Sequence, residues 1–193
     1  MKNADGTVAS TREFENSLIS GGQGDQLLSG LLSGNYVIGD WGIVLCPNPG
    51  AYAGVCPGGG APVAVITTNP NGSLGSQLQL NVVCGLGCVG GLTSAAVVNA
   101  AGNFSLVLTG SYTAPSNLSI NGVSTIASYC GSGLRSSASP AACIALSATA
   151  ATPNPTAGNS ELLGSLLTGT PLAAPQSLTA GQILQVTVTL SFS

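Results

Sequence analysis

The sequence predicts a mainly β protein, an antiparallel β-sandwich or jelly roll with a short N-terminal helical segment. Three observations predict it. Apolar residues alternate with Ser, Thr, Gln and Asn over several stretches, the period of a strand with one face on a core. Gly, Pro and Asn punctuate those stretches as turns. The only helical signals are confined to the first thirty-five of the 193 residues. The expected division is therefore an N-terminal arm over residues 1–35 and a β domain over residues 36–193.

Within the arm, Ser10 or Thr11 caps a helix beginning near Arg12, with Glu13 and Glu15 in its first turn and Phe14, Leu18 and Ile19 on one face. Gly21-Gly22 stops it. The run Leu27-Leu28-Ser29-Gly30-Leu31-Leu32-Ser33-Gly34 is a second short turn of helix or an ordered loop. It has an echo in Leu162-Leu163-Gly164-Ser165-Leu166-Leu167-Thr168-Gly169, best read as coincidence in a chain rich in Leu, Ser and Gly.

From Tyr36 the period changes to two. Tyr36 to Cys46 reads as a buried strand containing Gly39 and Gly42, and Ala61 to Thr67 as a short apolar strand. Between Gln77 and Val83, Leu78, Leu80 and Val82 share a face. Phe104, Leu106, Leu108 and Tyr112 alternate with Ser105, Val107, Thr109 and Ser111. Leu118 and Ile120 lead into Asn121-Gly122, a hairpin-turn dipeptide. Ile144 to Ala150 is a further candidate, and Ala148 to Asn159, with Pro153 and Pro155, reads as a long loop. The clearest strand is the last, with Leu184, Val186, Val188, Leu190 and Phe192 on one face, preceded by a turn at Ala180-Gly181.

Charge is scarce. Only 5% of residues are charged, against about 25% in ordinary globular proteins. Five of the six acids lie within the first forty residues, and past Trp41 the only charges are Arg135 and Glu161. Mean hydropathy is +0.45, yet no run approaches the ~18 apolar residues of a membrane-spanning helix. No basic patch exists to meet nucleic acid or an anionic membrane surface. Interface cores are depleted in charge, so a surface carried by hydroxyls and amides suits a subunit that packs against copies of itself. A secreted β protein with a Ser/Thr-rich surface has the same composition.

Six cysteines fall into three local pairs, Cys46 with Cys56, Cys84 with Cys88 and Cys130 with Cys143. Sequence leaves the connectivity open. Locality favours these three disulfides, because each closes a short Gly-, Pro- or Ser-rich loop at little entropic cost. Zinc is the rival reading for Cys84-x3-Cys88, but the chain has no His and the other cysteines are dispersed. Disulfides imply an oxidising location or a hyperthermophilic source. Residues 1–6 open no apolar signal segment, so the expected route is a signal removed earlier or release by cell lysis.

Chemistry is hard to place. Without His, Ser-His-Asp and Cys-His catalysis and most catalytic metal sites are excluded. The glycine clusters lack the Lys-Ser/Thr of a phosphate loop. Asp40 beside Trp41 is the most site-like pair, for a sugar or as a carboxylate of raised pKa. The plainer reading gives Asp40 a turn and Trp41 a core or interface position. Three glycosylation sequons begin at Asn71, Asn103 and Asn117. No cofactor, metal or small-molecule substrate is expected, nor enzymatic activity. The amphipathic C-terminal strand can complete a neighbour's sheet, although pairing within its own domain is the simpler expectation.

The segments Phe104–Thr113, Ile120-Asn-Gly-Val-Ser124 and Leu178-Thr-Ala-Gly-Gln-Ile-Leu-Gln-Val-Thr-Val-Thr-Leu-Ser-Phe192, with Tyr36-Val-Ile-Gly39 upstream, resemble small β-structural virion proteins of tailed phages and prophages. The resemblance covers about half the chain and rests on β pattern rather than on chemical motifs. It implies a capsid, neck or tail component located in the virion, oligomeric, with copies of itself and other virion proteins as partners. The cysteine loops depart from that pattern. The alternative expectation is an extracellular pilus-like or sheath filament subunit on the cell surface, polymerising by strand exchange.

Overall fold

The computed structural model describes residues 2–3, 5–8, 17–18, 28–30, 32–33, 37–49, 56, 61–67, 88–100, 103–130 and 162–191. Among them the protein is almost entirely β, as the sequence predicts. Nine strands occur: β1 (Ser17–Leu18), β2 (Val37–Cys46), β3 (Ala64–Thr67), β4 (Cys88–Gly90), β5 (Leu92–Ala100), β6 (Asn103–Thr113), β7 (Leu118–Cys130), β8 (Leu162–Leu178) and β9 (Ile183–Ser191). They form a six-stranded sheet in the order β1-β8-β7-β2-β3-β4 and a three-stranded sheet in the order β5-β6-β9. Neighbours are antiparallel throughout, except β3 and β4, which run parallel.

Both sheets feed one hydrophobic core. Ile43, Leu45, Ile66, Ala127, Tyr129 and Leu178 come from the larger sheet, and Leu108, Tyr112, Val186, Val188 and Leu190 from the smaller. Alternation explains the second set: along β9, Val186, Val188 and Leu190 are buried while Gln185, Thr187, Thr189 and Ser191 are exposed. The centre of the larger sheet is also buried on its other face, where Val44, Val65, Ser124, Ile126 and Thr67 are covered. A strand covered on both sides has no reason to alternate, which accounts for the unbroken apolar stretch Ile43-Val44-Leu45 in β2.

Two crossings carry the chain between sheets side by side. Ala114 follows β6 on the way to β7, and Thr179–Gln182 links β8 to β9. They are tied together: Ala114 N–H donates to Gln182 O at 2.9 Å and Gly181 N–H to Ala114 O at 2.8 Å. Gly181 takes φ +83°, the left-handed conformation required at the third position of the Thr179–Gln182 turn, closed by Gln182 N–H to Thr179 O at 3.0 Å. The turn expected at Ala180-Gly181 is thus in place.

A third crossing, at Gly91, is the tightest. It joins β4 in one sheet to β5 in the other, and its carbonyl accepts Ser111 N–H at 2.9 Å. A Cβ on Gly91 would lie 2.2 Å from the Ser111 carbonyl oxygen. On the facing strand, a Cβ on Gly110 would lie 2.8 Å from Ile66 Cγ2. The two sheets approach through these glycines.

Two local expectations are corrected. Asn121-Gly122 makes no hairpin turn; β7 continues through it with a register shift between Ile120 and Gly122. Asn121 instead spends its side-chain amide on the Pro47 carbonyl, and Gly122 pairs with both Cys46 and Pro171. Opposite the shift, β8 loops out Leu172–Pro175. Ser17–Leu18, expected in a helix, is the short strand β1, paired with Thr168 and Gly169 of β8. Residues 28–30 and 32 do form a turn of helix, with Ser33 N–H donating to Ser29 O at 2.9 Å. The echo of that run, Leu162–Gly169, is strand in β8, so the two similar segments fold differently. The strand candidates at 77–83 and 144–150 and the loop at 148–159 lie outside the described residues.

Burial gives Tyr112 a pH signature. Desolvation raises its phenol above the ordinary 10.0. An unfolded chain therefore loses this proton at a lower pH than the folded one does. Its stabilising contribution is intact below pH ~10 and is lost as pH rises through the folded value. The melting temperature is expected to fall above pH ~10, and Tyr112→Phe to remove part of that fall, measured by circular dichroism against pH.

Candidate assembly surface

Asp40, the most site-like residue in the sequence, is built into the sheet. It lies in β2 at a register shift against β7 and is 5% exposed. Its Oδ1 accepts the Trp41 N–H at 2.8 Å, and its Oδ2 accepts the Thr67 hydroxyl at 2.7 Å. The carboxylate thus bridges β2 and β3 on a buried face. Trp41 packs against the common core. Both residues have structural duties. Among the described residues, no group of three or more His, Cys, Asp or Glu comes together to hold a metal. No helix among them is long and apolar enough to cross a membrane.

Cys46 and Cys56 form a disulfide, with an S–S distance of 2.05 Å and a Cα–Cα distance of 5.4 Å. Both are buried. Cys46 is the last residue of β2, and Asn121 of β7 holds the next residue, Pro47, by its carbonyl. The bridge fastens the returning loop to the end of a central strand. Cys84 and Cys143 lie outside the described residues, and Cys88 and Cys130 are described only by their backbone positions, at the start of β4 and the end of β7. Replacing Cys46 and Cys56 together by Ala is expected to cost about 2.5–3 kcal/mol, the loop entropy released to the unfolded chain. The check is urea unfolding of the variant beside wild type.

Of the sequon asparagines, Asn117 is exposed and its Oδ1 accepts the Ala180 N–H at 3.0 Å, across the paired crossings. Asn103 begins β6, and Asn71 is outside the described residues.

Among the described residues the sheet edges differ in what covers them. At β9, the N-terminal residues add a short bridge: Lys2 N–H donates to Ile183 O at 2.8 Å and Ile183 N–H to Lys2 O at 3.1 Å. The Asn3–Thr7 turn beside it is braced by Asp5, whose carboxylate accepts the Thr7 hydroxyl at 2.7 Å and the Thr7 N–H at 2.9 Å. Those hydrogen bonds hold the Asp5 pKa below the ordinary carboxylate value. Gln182 Nε2 donates to Asn3 Oδ1 at 3.2 Å and docks the turn on β9. The outer edge of β8 carries β1 and two prolines, Pro171 and Pro175. Strand β4 ends the larger sheet with only three residues.

Strand β5 is different. It is nine residues long, pairs only with β6 among the described residues, and carries neither charge nor proline. Residues Thr93 to Val98 are exposed on both faces of the strand, with Val97 72% and Val98 41% accessible. The whole three-stranded sheet contains no Lys, Arg, Asp or Glu. Sequence reading found β6 and β9 but missed β5. The signal present was an uncharged Ala-Ala-Val-Val run between glycines, which has no alternation to betray a strand.

Comparison with protein-family models, with curated proteins and with solved structures finds no match.

Proposed function

We propose that this chain is a non-enzymatic structural protein that works by assembling with copies of itself and with other proteins of the same particle. One observation carries the reading: a three-stranded sheet without a single ionic side chain ends in a long, exposed, apolar edge strand. Monomers usually protect such edges with charge, proline or short strands, because an open edge templates pairing with another chain. Low charge over the rest of the surface acts in the same direction, since few ionic groups need be desolvated at a contact.

The setting we propose is the virion of a tailed virus, as a capsid, neck or tail component, on the strength of the β-pattern resemblance. A cell-surface filament built by strand exchange uses similar physics. In this chain, however, β9 is paired with β6 from Ile183 to Ser191, which favours assembly by surface contact over donation of the C-terminal strand. Sedimentation velocity across a wide concentration range, followed by imaging of the largest species, tests the proposal. Regular multi-copy particles are the expected result. A protein that stays monomeric at every concentration would overturn it.

A further inference from the structure

Resting on that assembly reading, we propose that β5 is the contact between like copies. It pairs antiparallel with β5 of a second copy about a two-fold axis normal to the sheet, joining two three-stranded sheets into one continuous sheet.

The edges of the two sheets differ in how they are covered. The β9 edge is occupied at one end by Lys2, the β8 edge carries β1 and its prolines, and β4 is three residues long. Among the described residues β5 and β9 both present long backbone ladders, but β9 has Lys2 at one end and buries Val186, Val188 and Leu190, whereas Thr93 to Val98 of β5 are exposed on both faces. A ladder is satisfied by another extended chain, so its occupant is a strand.

A hydrophobic row also runs off the β5 edge. Register places Leu190 beside Leu106 and Leu106 beside Val97. Leu190 is 5% exposed and Leu106 is partly buried against the core, whereas Val97 is 72% exposed. On the same face, Val188, Leu108 and Ala95 form a parallel row. A two-fold axis normal to the sheet keeps each face on its own side, so the second copy continues these rows with its own Ala95 and Val97.

The composition of β5 suits a second copy of itself. Antiparallel self-pairing sets residues of Ser94-Ala95-Ala96-Val97-Val98 opposite one another in reversed order. Every such pair is uncharged and small or β-branched, and like charges facing each other would destabilise the pairing. A two-fold contact also uses one patch twice, so one edge strand from each copy is sufficient.

The test uses the intact chain. Amide hydrogen exchange is measured below and above the concentration at which copies associate. The expected result is new protection in β5, at alternate residues whose amides point away from β6. In parallel, Val97→Lys places a charge on an exposed position opposite Ala95 of the second copy. Association is expected to weaken by at least about tenfold, with thermal unfolding of the monomer unchanged. Thr187→Lys, on the exposed face of β9, is expected to associate like wild type. If wild type associates but protection appears elsewhere, or if folded Val97→Lys associates normally, the β5 pairing is overturned and the broader assembly reading stands. If wild type never associates, both fall together. Protection of β5 only upon addition of a different protein would also overturn the like-copy contact.

Discussion

Gly91→Ala is expected to lower folding stability by about 3 kcal/mol or more, near the top of the range for a single methyl group. The new Cβ would stand 2.2 Å from the Ser111 carbonyl oxygen. That atom is main chain, and the Gly91 carbonyl is already bonded to the Ser111 N–H at 2.9 Å. Relief therefore requires β4 or β6 to move. Movement there also opens the contact at Gly110, where Ile66 from the other sheet fills the space that a side chain would take. Gly181→Ala is the useful control: nothing crowds its Cβ, but φ is +83°, so the expected cost is only about 1–2 kcal/mol from the left-handed backbone. Urea unfolding of both variants measures the difference. Equal losses would mean that the sheets are not held at Gly91.

Asp40→Ala is expected to cost about 2–3 kcal/mol, the usual value of a buried hydrogen bond to a charged group. The carboxylate bonds the Trp41 N–H and the Thr67 hydroxyl at once, so the alanine leaves two donors without that acceptor inside a sheet covered on both faces. Asp40→Asn keeps an acceptor oxygen and is expected to lose roughly half as much. A double-mutant cycle with Thr67→Val separates the Asp40–Thr67 bond from the rest, with an expected coupling of about 1 kcal/mol or more. Thermal melts of the four proteins give the numbers. Additive losses would show that the two side chains act independently.

Strands with one dry face and one wet face were legible in the sequence. Phe104–Thr113 and Leu184–Phe192 alternate because the core lies on one side only, and they correspond to β6 and β9 within a residue or so. Strands outside that regime were harder to see. Thr93 to Val98 of β5 are exposed on both faces, so nothing selects for alternation in Thr-Ser-Ala-Ala-Val-Val. β8 contains Gly164, Gly169, Pro171 and Pro175 and is divided by its looped segment, so its pattern breaks partway. Asn121-Gly122 has turn chemistry locally, but pairing with β2 and β8 on either side keeps the chain extended there.

The candidate site followed the same logic. Scarcity of charge was plain from composition and pointed toward contact between proteins. Which surface would make the proposed contact is not legible there, because an edge strand has no motif; it is defined by what neighbouring strands leave open. Asp40 and Trp41 attracted attention as a carboxylate beside an aromatic ring, and both are occupied in holding β2. The Cys46–Cys56 disulfide matches the pairing that locality favours around a Pro/Gly loop, one of several that six cysteines allow.

Copies of this chain are proposed to meet at the sheet without ionic side chains. Imaging the native assembly at a resolution that traces strands decides this. Multi-copy particles in which β5 and its sheet lie at the contacts between subunits are the expected result. Particles held together elsewhere, with Val97 and Val98 facing open solvent, would contradict it.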